Sequence, residues 1–458
     1  MVDTAKNPRW LAHQILVRVE TRGSYADILL EEKLPSLEQP YRALATELVY
    51  GVLRWQIKID WIINQFSKIP TSKLEARVLC ALRLGIYQLY FLRGIPPHAC
   101  ISETVELVKP LGERRAGFVN AVLRAAQRGK DGVAFPSIKK EPVKYVSVIF
   151  SHPQWLVERW LKRYGLKETM ELCRVNLTPP PTVLRVNTLV TTRDALMEEL
   201  EKEGIKVKPT CFSPVGVEVL ERSRGRLKPT DRRYYIQDEA SQLIPLLLSP
   251  EEGEKILDVC SAPGGKATHI AQLMHNRGLI VAMDSHQTRL KKVEALAKRF
   301  GIDIIKPLLA DGRTFSPQLD LEGMEKSPIP REGFDAILID APCTGLGTLR
   351  RTPDIKTRRS PEDIERAART QRQILSNMVA LLRPEGRLVY SVCTLEPEET
   401  EDVVRWLLSE RKALSIEPAS HFLPAECRRL VTAEGFLKTL PHRDGLDGFF
   451  AVRLKKRA

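Results

Sequence analysis

The chain has 458 residues, 43% of them hydrophobic and 28% charged, with 71 Lys and Arg against 57 Asp and Glu for a formal net charge of +14. That apolar content excludes a disordered chain, the length calls for two or three domains, and no apolar run approaches the ~20 residues of a bilayer span. Eight cysteines without a CxxC pair exclude a disulfide framework and a zinc ribbon, so no metal is expected. The start, MVDTAKNPRW, lacks the basic-then-apolar order of a secretory signal, which predicts a cytoplasmic protein with no membrane partner. The positive balance favours a polyanionic partner, because each phosphate neutralised releases counterions.

Residues 1–135 read as an all-α domain, with Leu79, Leu82, Ile86 and Leu89 at 3-4-3 spacing and a second stripe at Phe118, Val122 and Ala125. GKDGVAFPSIKKEPV, from Gly129 to Val143, reads as a linker. Ser151 can then cap a helix with Pro153 in its first turn and Gln154 completing a capping box. LRVNT, DALMEELEKEG and IKVKPT alternate strand, helix and strand, so residues 146–234 form a linking helix and a small α+β module. In residues 235–458 the runs KILDVC, GLIVAMD, IIKPLLAD, FDAILID and GRLVYSV are continuous, short and separated by helix-length segments. Such runs predict a doubly wound, Rossmann-like α/β domain with a parallel sheet covered on both faces, ending in an antiparallel hairpin at GFFAVRL.

ILDVCSAPGGKATHI places a glycine turn between a buried strand and a helix, where a nucleotide-like ligand can approach the backbone. It is not a phosphate loop: Cys260 replaces the first Gly and Ala267 the Ser or Thr. Asp284 lies about 20 residues on, the place of a ribose-binding acid, and both NAD and S-adenosylmethionine present a ribose. Asp311 and Asp340 close two more strands, which lines the carboxyl edge of one sheet with acids.

Cys343 in DAPC and Cys393 in YSVCTLEPEE stand at strand ends beside these acids, a setting for nucleophilic chemistry if a neighbour such as Lys266 or a helix N-terminus favours the thiolate. Glu396, Glu398 and Glu399 read as complements of a helix dipole. Arg350, Arg351, Lys356, Arg358 and Arg359 crowd the loop after Cys343 and suit a phosphate-bearing substrate. Tyr234 and Tyr235 are expected to pack at a domain seam.

DVCSAPGGKATH, VAMDSHQTRL, LADGR, LIDAPCTGLGTLRRTPDIK and YSVCTLEPEET together resemble the motif set of the bacterial RNA cytosine-5 methyltransferases of the RsmB (Fmu/Sun) type. ALRLGIYQLYFLRGIPPHACISETVELVK and GFVNAVLR are similar to the NusB-like helical domain such enzymes carry, so the resemblance spans nearly the whole chain. It implies S-adenosylmethionine as cofactor and 16S ribosomal RNA, free or early in assembly, as substrate, with cytosine 967 the family target and no obligate protein partner.

By the same resemblance Cys260, Ser261, Ala262, Pro263, Gly264, Gly265 and Lys266 hold the methionine part of the cofactor. Asp284 serves the ribose, Asp311 the adenine edge, and Asp340 the space between cofactor and base, with Arg289 a further cofactor-binding residue. DNA cytosine-5 methyltransferases attack with the Pro-Cys cysteine, whereas this RNA family uses the later one; Cys393 is therefore the implied nucleophile and Cys343 the residue that assists release, with Asp340 stabilising the base. The family usually writes Thr before the nucleophile where this chain has Val392. Two alternatives stay open on the sequence: a decayed RNA-binding adaptor, and an NAD-dependent oxidoreductase for which the glycine turn and Asp284 would suffice.

Overall fold

The computed structural model describes residues 7–222, 227–317 and 329–457. They form two compact units: one runs to Pro179 and also takes in Leu349–Arg359, and the other holds Pro180–Thr348 with the chain from Ser360 onward. Among the described residues no helix is long and apolar enough to cross a membrane.

The first unit is helical: α1 (Pro8–Arg22), α2 (Ala26–Lys33), α3 (Gln39–Phe66), α4 (Ala76–Tyr90), α5 (Pro97–Glu106), α6 (Glu113–Arg128), α7 (Pro142–Ile149) and α8 (Gln154–Asn176). Asn7 starts α1 by accepting from the amides of Arg9 and Trp10, and Gly23 ends it in the left-handed region that leaves glycine unstrained. The expected stripe of α4 is buried at Leu79, Leu82 and Ile86. On α6 the buried line is Val119, Val122, Leu123 and Ala126; Phe118 and Ala125 sit on its margin, so the face is turned by about one residue from the spacing read in the sequence. Inside the bundle Arg83 is gripped by Asp60, at 2.7 and 2.8 Å, and by Glu20 at 2.7 Å. A buried guanidinium is tolerated there because its fork is met by two carboxylates.

Two expectations are corrected in this unit. The expected linker ends in α7, and Ser151 does not cap α8: Pro153 holds the cap position, and the Ser151 hydroxyl accepts from the amide of Ile57, 3.0 Å away. In the basic loop Lys356 is not an exposed phosphate contact. Lys356 is 2% exposed and donates to the Arg54 carbonyl at 2.5 Å, and burial pulls its pKa down to about 7. Arg358 donates to the carbonyls of Gly23 and Ser24, with its guanidinium 4.0 Å above the Tyr25 ring, and Arg350 donates to the Pro179 carbonyl. Carbonyl acceptors in the helical bundle, which the loop's composition could not reveal, take up these cations.

The second unit opens with four antiparallel strands, β1 (Thr182–Val186), β2 (Ile205–Pro209), β3 (Gly216–Arg222) and β4 (Tyr234–Ile236), in the order β2-β3-β1-β4, with helix α9 (Arg193–Lys202) against them. Leu184, Val186, Leu196, Leu200, Val217 and Tyr234 make its core. The main sheet follows: β5 (Lys255–Val259), β6 (Leu279–Asp284), β7 (Ile305–Leu309), β8 (Phe334–Asp340), β9 (Leu382–Val392), β10 (Leu414–Glu417), β11 (Leu437–Lys438) and β12 (Phe450–Lys456).

Its order is β10-β12-β9-β8-β5-β6-β7; the five strands from β9 to β7 are parallel, and β12 lies antiparallel between β9 and β10. The C-terminal strand therefore enters the sheet between two others, with the two-residue β11 paired to it. Helices α10 (Glu239–Leu248), α11 (Gly265–Leu273) and α12 (Gln287–Phe300) cover one face through Ile256, Ile280 and Leu338. Helices α13 (Pro361–Met378) and α14 (Glu401–Glu410) cover the other through Leu257, Val281 and Ile339. Burial on both faces is what makes each strand a continuous apolar run. Strand order reverses between β5 and β8, the switch point at which open α/β sheets bind ligands.

Candidate active site

At the end of β5 the chain turns sharply into α11. Cys260 has φ 61°, Gly264 has φ 101°, and a Cβ on Gly264 would meet the backbone of Val293 at 3.1 Å. Only glycine fits that approach without strain. The turn is pinned from three sides: the Ser261 amide donates to the Met283 carbonyl at 2.9 Å, the Ala262 amide to Asp284 at 3.3 Å, and the Ser261 hydroxyl to Asp258 at 2.7 Å. Arg289 donates to the Ala262 carbonyl at 3.0 Å, which places it on the turn with Asp284.

Beside the turn is a cleft of about 200 Å³, lined by Tyr235, Gln237, Asp258, Cys260–Pro263, Gly265, Lys266 and Asp340 among others. Lys266 pairs with Asp340 at 2.6 Å, and Asp340 also accepts from the Ser391 hydroxyl at 2.7 Å. Lys266 therefore serves the acid and not a cysteine. Asp258 was missed in the sequence, although a carboxylate inside the run ILDVC is a signal in itself. It is fully buried, and its Oδ1 has no partner while the residue lines the cleft. Burial, reinforced by Asp340 and Asp284, pushes its carboxyl up to about 7 against the Ser261 bond and Lys266. An unsatisfied buried acceptor beside a lysine-acid pair fits a ligand end that carries both a cation and an anion.

Asp284 is buried, accepting from the amides of Ala262 and His286. Asp311, two residues past β7, is half-buried and clasped by Arg313 at 2.6 and 3.0 Å, which holds its carboxyl below the ordinary range. Arg185 of β1, also missed, is fully buried and donates to Gln237 at 2.7 Å, to Thr268 at 2.9 Å and to the Gly265 carbonyl. Its guanidinium thus ties the first turn of α11 to the small module. Tyr234 is buried in that module's core, and Tyr235 sits edge-on to Phe300 beneath Arg299. Both tyrosines pack.

The two thiols meet. Cys343 follows β8 and Cys393 follows β9, and their Sγ atoms are 3.3 Å apart. The bond to Cys393 and burial together raise the Cys343 thiol well above its ordinary value. Cys393 is not at a helix start: Pro397–Glu399 is a single tight turn, and α14 begins at Glu401. Glu399 is accordingly no dipole complement. It is fully buried and accepts from the Thr344 amide at 2.8 Å and from the Thr394 hydroxyl at 3.0 Å. Val392 lies in the core, and the hydroxyl that reaches this network comes from Thr394, on the other side of the cysteine.

The Cys393 carbonyl accepts from the Gly347 amide at 3.0 Å, and a Cβ on Gly347 would sit 2.0 Å from the Gly448 carbonyl oxygen. Gly347→Ala is expected to displace the Cys393 loop and slow turnover about 10²-fold with ligand affinity in the cleft unchanged, since small misplacements of reacting groups carry costs of that order. Parallel titration of ligand and measurement of turnover checks it.

A doubly wound sheet that gathers a glycine turn, three acids and two touching thiols at one edge defines a Rossmann-like group-transfer enzyme. Residues 245–455 match the family model of the 16S rRNA methyltransferases RsmB/F, residues 6–128 the NusB family, and residues 152–224 the ferredoxin-like domain of RsmF/B-like methyltransferases. The chain is 36% identical to the probable ribosomal RNA small subunit methyltransferase B of Bacillus subtilis and 32% identical to ribosomal RNA small subunit methyltransferase B of Pseudomonas syringae. These alignments cover 98% of both chains in the first case, and 99% of this chain and 97% of that one in the second. Among solved structures it is similar to PH0851, with a TM-score of 0.81, 26% identity, and 98% and 99% of the two chains covered. It is also similar to NSun6 from Pyrococcus horikoshii with SFG, with a TM-score of 0.56, 28% identity, and 67% and 98% covered.

The chain belongs to the RsmB family of ribosomal RNA methyltransferases, enzymes that depend on S-adenosylmethionine. That membership displaces the oxidoreductase alternative.

Proposed function

We propose that this enzyme methylates C5 of a cytosine in 16S ribosomal RNA, with the family's cytosine 967 as target, through a covalent bond between Cys393 and C6. The observation that carries the reading is the 3.3 Å approach of two thiols that follow neighbouring strands of the sheet. Carbon 5 of cytosine is not nucleophilic until a thiolate adds at C6 and pushes electron density onto it. One thiolate suffices, and two cannot form side by side; the resemblance to the RNA cytosine-5 methyltransferases makes Cys393 the one that attacks.

Bound S-adenosylmethionine supplies the electrophilic methyl group. The turn Cys260–Lys266, with Asp258 and Lys266, would hold its amino-acid end, Asp284 and Arg289 its ribose, and Asp311 its adenine; the SFG of the NSun6 structure, an analogue of this cofactor, supports the use of S-adenosylmethionine. Asp340, fixed by Lys266 and Ser391, accepts from the exocyclic amine of the base as charge develops on the ring. After methyl transfer a base takes the C5 proton, the electrons of that C–H bond restore the C5–C6 double bond and expel Cys393 as a thiolate, and Cys343 assists that release. The base must be unstacked, which single-stranded or looped RNA permits at least cost. The substrate is read as free or early-assembling RNA in the cytoplasm.

The test is to incubate the full chain with unmethylated 16S RNA and methyl-labelled cofactor, digest the RNA, and identify the modified nucleoside by mass. 5-Methylcytidine is expected; label on another base or atom overturns the assignment. Asp284→Ala is expected to weaken cofactor binding about 10- to 100-fold, the value of a hydrogen bond to a charged acceptor. Equilibrium titration reads it directly.

A further inference from the structure

We propose that Glu399 is a positioning residue that sets the gap between the two thiols by binding both of their loops to one buried carboxylate. The proposal rests on the reading that Cys393 attacks and Cys343 releases. Glu399 receives the Thr344 amide at 2.8 Å and the Gln371 side-chain amide at 3.1 Å on one oxygen, and the hydroxyls of Thr344 and Thr394 on the other. Thr344 follows Cys343 and Thr394 follows Cys393, so the residue after each thiol is bound to the same group.

The two hydroxyls also lie 3.1 Å from each other, and Gln371 of α13 closes the ring by donating to the Pro342 carbonyl, just before Cys343. The backbone of Glu399 is itself fixed, since its carbonyl accepts from the buried Tyr390 hydroxyl at 2.6 Å. No cation pairs with this carboxylate among the described residues, and burial opposes its charge while the four donors favour it. Charge-assisted hydrogen bonds are roughly twice as strong as neutral ones, and a fully satisfied network is rigid. A rigid acceptor shared by two loops converts two independent strand ends into a single constellation. Glu399 touches neither substrate nor thiol, and acts through Thr344 and Thr394.

The experiment compares the full-length Glu399→Ala and Glu399→Gln variants with the unaltered enzyme in two readouts. One is bridging of the cysteines by dibromobimane, which becomes fluorescent only when both ends have reacted, with the bridged pair identified by peptide mass. The other is steady-state methyl transfer. For Glu399→Ala, at least a tenfold loss of Cys343–Cys393 bridging is expected, together with a fall of about 10²-fold in kcat and a KM for the cofactor within twofold of the original. Glu399→Gln keeps the acceptor for the Thr344 amide and offers an amide to the hydroxyls, and is expected to restore most of both signals.

Unchanged bridging in Glu399→Ala overturns the proposal, whatever happens to kcat. Loss of kcat in Glu399→Gln as deep as in Glu399→Ala, with bridging intact, also overturns it by pointing to the charge instead of the position. Should Glu399→Ala fail to bind cofactor, the Thr344→Val, Thr394→Val double variant carries the same expectation through the hydroxyls alone. Bridging is read without RNA, so a failure of the methylation reading leaves this test standing.

Discussion

Cys343→Ser, incubated with 16S RNA and S-adenosylmethionine, is expected to accumulate a covalent protein–RNA complex that migrates slowly on a denaturing gel. The Sγ of Cys343 is 3.3 Å from that of Cys393, close enough to pass or take a proton as the Cys393–C6 bond breaks. Removing it leaves attack and methyl transfer possible and slows release. Cys393→Ser is expected to lose methyl transfer by several orders of magnitude, since an alcohol is a far weaker nucleophile than a thiolate at neutral pH. It should form no complex, alone or combined with Cys343→Ser. The opposite pattern, a complex with Cys393→Ser and none with Cys343→Ser, would exchange the roles and give this enzyme the DNA-type order of attack.

Asp258→Asn is expected to stabilise the protein above neutral pH. The Asp258 carboxyl is raised in the folded state to about 7, from the ~3.9 of an unfolded aspartate. Below pH 4 both states hold the proton and the residue is neutral to stability. As pH rises from 4 to 7 the unfolded chain releases the proton while the folded chain keeps it, so the folded state loses ground and the loss levels off above pH 7. Each unit of raised pKa is worth about 1.4 kcal/mol, which sets a ceiling of about 4 kcal/mol.

Asparagine keeps an acceptor for the Ser261 hydroxyl and carries no charge to bury. Between pH 5 and pH 8 the advantage of the variant should therefore widen by about 2–3 kcal/mol, read from urea unfolding followed in the catalytic unit. A pH-independent difference would mean that Asp258 is already ionised in the folded protein. The variant should also bind cofactor more weakly, since Asp258 lines the cleft.

What could be read from the sequence follows the physics of each signal. The parallel strands were legible because helices cover both faces, which forces each strand to be apolar throughout. The turn at Gly264 was legible because a local backbone need selects glycine. Glu399 was not: its partner Thr344 lies 55 residues away, and in the chain it is one acid of several before a helix. Lys356 of the basic loop misled in the same way. Charge shows that a side chain needs a partner, and at Lys356 the partner is a carbonyl of α3 that no spacing rule could supply. The face of α6 erred by a single position, because Phe118 and Val119 are both apolar and only the neighbouring helices decide which turns inward.

The path of the chain through its two units bears on how such an enzyme can be taken apart. The backbone passes between them at 179/180, 348/349 and again at 359/360. Cutting after Pro179 would free a helical fragment that lacks Leu349–Arg359, and with it the ammonium seated on Arg54 and the guanidinium on the Gly23 turn. The complementary fragment would carry an eleven-residue excursion whose apolar and cationic groups have lost their seats. A recombination event that exchanged the helical half at one crossover would therefore hand the new partner a mismatched insert. In chain order the segment Leu349–Arg359 lies inside the second unit, and it is the first that houses it.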